Sequence, residues 1–168
     1  MAFITEVVGA AYSPSEASKI QEENRQIAAS ALGFTWQVFR VASANDYDEI
    51  FARLAAENYD AAYISATQFS SDNLTRIGQL GLRHRIPTVG PAARWARGGL
   101  LLTYGDDPIR TAARALEYVD KILRGSKPSD LPVQQGTNFE LVINLKTAKE
   151  LGLTVPPSLL ARADEVIE

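Results

Sequence analysis

The sequence predicts an α/β domain: an open, three-layer parallel sheet of about five strands, helices on both faces, strand order 2-1-3-4-5. Three observations carry this. Short apolar segments alternate with amphipathic helical ones, and the turns between them are short. The 168 residues, 46% hydrophobic and 22% charged, suit one globular domain. Right-handed crossovers then leave few topologies, of which this order is the simplest.

The elements follow in order. Phe3 to Ala11 is mostly apolar and reads as the first strand. Ser13-Pro14-Ser15-Glu16 opens a helix, with Ser13 as N-cap, Pro14 at the first helical position and Glu16 completing a capping box. Ile20, Ile27, Ala28, Ala31 and Leu32 share one face of that helix, and Gly33 stops it. Thr35 to Val41 alternates and is the second strand. Asp46 to Glu57 is a helix with Ile50, Phe51 and Leu54 inward. Asp60 to Ser65 is the third strand, Asp72 to Arg83 a helix, and Ile86 to Gly90 the fourth strand. Gly98 to Tyr104 is the fifth strand, and Pro108 opens a long helix that Gly125 ends near Arg124.

Residues 1–125 therefore form an α/β lobe, and 126–168 a tail that packs on the lobe or across a dimer. The tail begins at the linker-like stretch GSKPSDLP, Gly125 to Pro132. Phe139 to Ile143 reads as a strand, Asn144 caps a short helix that stops at Gly152, and a last short helix follows Pro156-Pro157. Phe139, Leu141, Ile143, Leu159 and Leu160 are expected to be mostly buried.

Composition narrows the function. The net charge of −3 gives no electrostatic case for nucleic acid or anionic lipid. The basic cluster of Arg83, Arg85, Arg94 and Arg97 reads as a mixed surface. The absence of cysteine excludes disulfides, thiol nucleophiles and thiolate metal sites. No apolar run approaches the ~20 residues of a membrane span. The single histidine, His84, falls at a helix end, where it suits the helix dipole, and no second one completes a metal pair. No nucleophile elbow, P-loop or receiver-type acidic cluster is present, so the chain is expected to be non-catalytic, without cofactor or metal.

In an open parallel sheet, ligands sit at the carboxyl ends of the strands where strand order reverses, here between strands one and three. Two loops meet there. The first carries Tyr12, Ser13, Ser15, Glu16 and Ser18; its helix N-terminus and hydroxyls suit a carboxylate or phosphate. Glu16 favours a zwitterion, such as an amino acid, over a simple anion. The same residues are also those of any well-capped helix. The second loop carries Thr67, Gln68, Phe69, Ser70 and Asp72: polar groups for hydrogen bonds, an aromatic to cover an apolar group, or simply a second cap. Beside them, Arg94 and Trp95 offer an ion pair or stacking surface, or plain packing, and Tyr104 ends the fifth strand.

The segment Tyr118 to Glu168, with Lys127-Pro128, Asp130-Leu131-Pro132, Phe139 to Ala148 and Gly152 to Ala163, resembles the C-terminal end of ABC transporter substrate-binding proteins. That family includes tryptophan- and tyrosine-binding lipoproteins. The upstream part is similar more loosely, through the Ser13 to Ser18 helix start, "HRIP" and "GGLLLTYG". The resemblance implies one lobe of a type I periplasmic-binding fold, the second lobe and its tail. It also implies a small-molecule ligand, an amino acid or similar zwitterion or carboxylate, and delivery to an ABC permease. The loops matching Ser13 to Ser18 and Ala66 to Asn73 would face the cleft, with Arg94, Trp95 and Tyr104 beside them. The resemblance implies an extracytoplasmic site of action. The chain itself shows no leader, which places it in the cytoplasm if it is the complete product. The rival expectation is a lobe that serves as an oligomerisation module, a homodimer through the tail, with no retained ligand.

Overall fold

The computed structural model of the chain describes residues 2–6, 16–106, 108–133 and 139–168. Among the described residues seven strands form one sheet: β1 Ala2–Glu6, β2 Gln37–Val41, β3 Ala62–Ile64, β4 Thr88–Gly90, β5 Leu102–Asp106, β6 Phe139–Asn144 and β7 Glu165–Ile167. Their order is β2-β1-β3-β4-β5-β6-β7. The first five strands are parallel and take the expected 2-1-3-4-5 order. The sheet as a whole is mixed, however, and two strands larger than expected. β6 runs antiparallel to β5, with Leu102 opposite Ile143, and β7 lies parallel beside β6. The cause is the path of the chain. It leaves β5 at Asp106 and re-enters opposite that same residue at Phe139, so the returning strand must run backwards.

Between the strands lie α1 Glu16–Ala31, α2 Asp46–Ala56, α3 Gln68–Asp72, α4 Leu74–His84, α5 Ala93–Arg97 and α6 Pro108–Leu123. The tail adds α7 Leu145–Leu151 and α8 Pro157–Leu160. Strand side chains alternate, so Phe39, Val41, Ala62 and Ile64 point to one face of the sheet. There they meet Tyr47, Ile50, Phe51 and Leu54 of α2, Ile77 and Leu80 of α4, and Trp95 of α5. Burying about a dozen such side chains, at ~1.5–3 kcal/mol each, drives the fold.

The tail closes part of the second face. Pro156 and Leu159 line an apolar groove with Leu102 and Ile143. Asn144 fixes the end of β6: its Oδ1 accepts from the Thr147 N–H at 3.0 Å, capping α7, and its Nδ2 donates to the Ala96 carbonyl at 2.8 Å. Gly152 ends α7 with φ +72°, a backbone that glycine adopts without a Cβ clash. Of the tail residues expected inside, Ile143 is buried and Leu141, Leu159 and Leu160 are half-buried. Phe139 is 50% exposed, contrary to expectation, because it is the first residue of β6 at the sheet's rim.

Other boundaries moved for local reasons. The helix expected from Asp72 to Arg83 is α4, begun two residues later after Asn73 (φ −103°, ψ 12°), and the stretch read as the loop before it holds the short α3, started by a capping box at Thr67. The fifth strand starts at Leu102 rather than Gly98, because Gly98 terminates α5. The apolar face read on α1 does not enter the core; Ile20, Ile27 and Leu32 are exposed. Among the described residues, no helix is long and apolar enough to cross a membrane.

Candidate functional site

β1 pairs with β2 on one side and β3 on the other, so the strand order reverses between β1 and β3. The carboxyl ends of β3 and β4 lead into the Ser65–Thr67 turn ahead of α3 and the Pro91–Ala92 turn ahead of α5. Of the residues expected at this edge, Tyr12, Ser13 and Ser15 lie outside the described residues. Glu16 and Ser18 are on the first turn of α1.

The turn after β3 is built by its own hydroxyls. The Thr67 Oγ1 accepts from the Ser70 N–H at 3.0 Å, and the Ser70 Oγ accepts from the Thr67 N–H at 3.0 Å. The Ser70 hydroxyl also donates to the Ser65 carbonyl at 2.6 Å. Ser70 is buried, so its polar capacity is spent on this turn. Gln68 Nε2 donates to Asp72 Oδ1 at 2.7 Å on the open side of α3, where both side chains are exposed. The Phe69 ring stacks on Tyr47, 6.0 Å between centroids and 14° between planes, and is held half-buried against the core.

Arg94 and Trp95 part company. Arg94 is exposed, and its Nη2 donates to the Ser71 Oγ at 3.0 Å, tying the turn after β4 to the turn after β3. The Ser71 hydroxyl in turn donates to the Thr67 carbonyl at 2.8 Å. Trp95 is wholly buried in the core, so of the two readings of its indole the structure has plain packing rather than a stacking surface: α5 turns it under the sheet's covered face. Tyr104 lies farther along, 58% exposed, stacked on Phe139 at 5.5 Å and 20°. Close approach brings these turns together. A Cβ on Gly105 would fall 1.7 Å from the Pro91 carbonyl oxygen, so only glycine lets β5 pass under the turn after β4.

Two residues that the sequence places at a strand end and beside a helix start, but not in the site, also lie at this edge. The Ser65 Oγ, just after β3, and the Asp106 Oδ1, ending β5, are buried polar atoms without a hydrogen-bond partner among the described residues. The other Asp106 oxygen accepts from the Thr111 hydroxyl at 2.5 Å. Their only sequence signal was place, at the last positions of strands whose ends were read one or two residues differently. Farther from the turns, Asp46 opens α2 with its carboxylate accepting from the Ser43 hydroxyl and the Ala42 and Ser43 N–H groups. These contacts, the hydroxyl first, hold its pKa below the ordinary value. A polar crevice of about 310 Å3 sits elsewhere, at the amino ends of β2 and β3, lined by Trp36, Asn58, Tyr59 and Asp60 among others. Among the described residues, no cluster of three or more acidic or histidine side chains could hold a metal.

Three solved structures share the fold. A conserved domain protein from Vibrio cholerae superposes with TM-score 0.79 at 24% identity, over 98% of this chain and 54% of that one. An ABC domain from Streptococcus pneumoniae, in complex with L-Trp, gives TM-score 0.79 at 26% identity, over 99% and 55%. A ligand-free, open substrate binding protein with adhesive properties from Clostridium difficile gives 0.71 at 19%, over 99% and 54%. The chain thus spans about half the length of these solved chains. A search of curated proteins gave no match. The sequence model of one family, ABC transporter substrate binding protein, matches residues 4–167, nearly the whole chain, and the chain belongs to that family.

Proposed function

We propose that this chain is one lobe of a solute-binding protein and holds half of a ligand cleft at the carboxyl ends of β1 and β3. The ligand class is an amino acid or a similar small zwitterion or carboxylate. The observation that carries the reading is the Arg94–Ser71 contact at the strand-order reversal. It sets an exposed cation beside the exposed Gln68 and Asp72 pair, so groups for both ends of a zwitterion lie on one rim. Tyr12, Ser13 and Ser15, with Glu16 and Ser18 at the start of α1, are proposed to complete that rim, with Thr67 fixing the turn and Tyr104 at the far end. The relative bound to L-Trp supports this class. The role is capture and delivery to an ABC permease outside the cytoplasm, without chemistry on the solute.

A single lobe covers one side of a ligand, whereas a full pocket buries most of its surface. Affinity for the lone chain is therefore expected on the order of 1 mM, about −4 kcal/mol. Titration calorimetry with L-tryptophan and other amino acids tests this. Heat at millimolar ligand, weakened at least ~5-fold in Arg94→Ala, is expected; no heat from folded protein contradicts it. A second reading, an oligomerisation module without ligand, draws on the exposed apolar residues of α6. A light-scattering mass of one chain would remove it.

A further inference from the structure

The polar crevice at the amino ends of β2 and β3 lies at the opposite end of the sheet from the candidate cleft, and the cleft makes no use of it. At about 310 Å3 it has the volume of a site for one small molecule rather than a seat for a protein surface. One wall is the end of α2. The Tyr59 N–H donates to the Leu54 carbonyl at 2.9 Å and the Asn58 N–H to the Ala55 carbonyl at 3.2 Å, with Asn58 at φ +56°. This is a left-handed helix cap, a backbone that asparagine adopts more readily than most residues, and it sets Tyr59 and Asp60 beside the last turn of α2. The other wall is the approach to β2, residues 35–37. Both aromatic rings are half-buried and braced by neighbours. Tyr59 stands edge-on to Phe39, 5.5 Å between centroids and 79° between planes, and Trp36 tilts against Tyr63 at 6.3 Å and 44°.

The charge in the crevice is one-sided. Glu57 and Asp60 line it, and among the described residues no lysine or arginine does. Glu57 is answered by Arg53, whose Nε donates to its Oε1 at 2.6 Å while the guanidinium lies over the Phe39 ring at 5.1 Å. Arg25, whose charge reaches Tyr63, does not line the crevice. The Asp60 carboxylate has no hydrogen bond or ion pair among the described residues. The carboxyl end of α2 carries a partial negative charge and adds to the same sign.

We infer that this crevice is a second binding site, for a small organic cation of the alkylammonium class. The rings of Trp36 and Tyr59 attract a cation and shield its methyl or methylene groups from water. Asp60 supplies the counter-charge. A metal ion would leave the rings unused, and it finds no group of three ligating side chains among the described residues. An amino acid would bring its own carboxylate against Asp60, so this site and the proposed cleft select different solutes. The inference does not rest on the reading of the chain as half of a solute-binding protein.

The test titrates choline chloride into the 15N-labelled full chain, with sodium chloride at equal concentration as the blank. Saturable amide shifts are expected at residues 35–37 and 57–60. The uncharged isostere of choline, with a tert-butyl group in place of the trimethylammonium, should need at least ~5-fold more ligand for half-saturation, because it lacks the attraction of a cation to the rings. Glycine betaine, which adds a carboxylate to the same cation, should also bind at least ~5-fold more weakly than choline, by repulsion from Asp60. Asp60→Asn, at an exposed position that the fold does not depend on, should weaken choline at least ~3-fold and leave the isostere unchanged. Shifts no larger than those of sodium chloride overturn the proposal. So does equal half-saturation by choline and its isostere, which makes the crevice an apolar hollow. So does a choline response that Asp60→Asn does not alter, or a betaine response as strong as that of choline. Choline shifts confined to residues 65–72 and 91–97 also overturn it, by placing the cation in the cleft.

Discussion

At the scale of single residues, the neighbours Arg94 and Trp95 show how one turn of chain divides its work. Arg94 reaches Ser71 at the rim, while Trp95 fills the core. Trp95→Ala should therefore cost about 3–5 kcal/mol of stability, read as a lowered denaturant midpoint, because it empties a large buried volume. Arg94→Ala should leave the midpoint nearly unchanged and act on ligand instead. Thr67→Ala removes the cap of α3 and should cost about 1 kcal/mol. Asp46 sets part of the pH response. Its folded pKa is depressed, so its contribution is complete above the unfolded carboxylate value and is lost as pH falls through the folded one. Asp46→Asn should flatten the acid limb of stability against pH, from about pH 5 downward. The sequence could name both Arg94 and Trp95 but not separate them. Burial depends on how α5 is rotated, and the five residues of α5 are too few to show a period.

At the scale of elements, the alternation of strand and helix was legible because it reflects local periodicity. Ile50, Phe51 and Leu54 were inward by spacing and are buried. The start of α3 was harder to read: Ser70 and Ser71 were candidate caps for the following helix, whereas the capping box joins Thr67 and Ser70 and opens a separate short helix. The pairing of β6 with β5 was not legible, because it depends on where a 32-residue excursion comes back, a long-range outcome with no local signature. Two substitutions test how the elements are joined. Asn144→Ala loses the α7 cap and strips a donor from the buried Ala96 carbonyl, and should cost about 2–3 kcal/mol in chemical denaturation. Gly105→Ala forces a methyl group into the Pro91 carbonyl, against backbone that cannot swing aside. It should destabilise by at least about 1–3 kcal/mol and disturb amide resonances on both β5 and the 91–97 turn.

At the scale of the whole molecule, the tail is an integral part of the sheet. β6 and β7 extend it, Asn144 ties it to α5, and Arg97 Nε donates to the Glu165 carboxylate at 3.1 Å from α5 to the last strand. Among the described residues, exposed apolar side chains gather instead on α6 and at α1, where Ile20, Ile27 and Leu32 are open. Of the thirteen site residues read from sequence, eight have described side chains; among these the rim residues Gln68, Asp72 and Arg94 are open to a ligand, while Ser70 and Trp95 are buried. The central claim is the place of the ligand. Titrating the 15N-labelled chain with L-tryptophan while following its amide resonances tests this most directly. The account predicts millimolar shifts concentrated in residues 65–72 and 91–97, at the carboxyl rim. Shifts confined to the opposite crevice around Trp36 and Asp60, or none at saturating ligand, would contradict it.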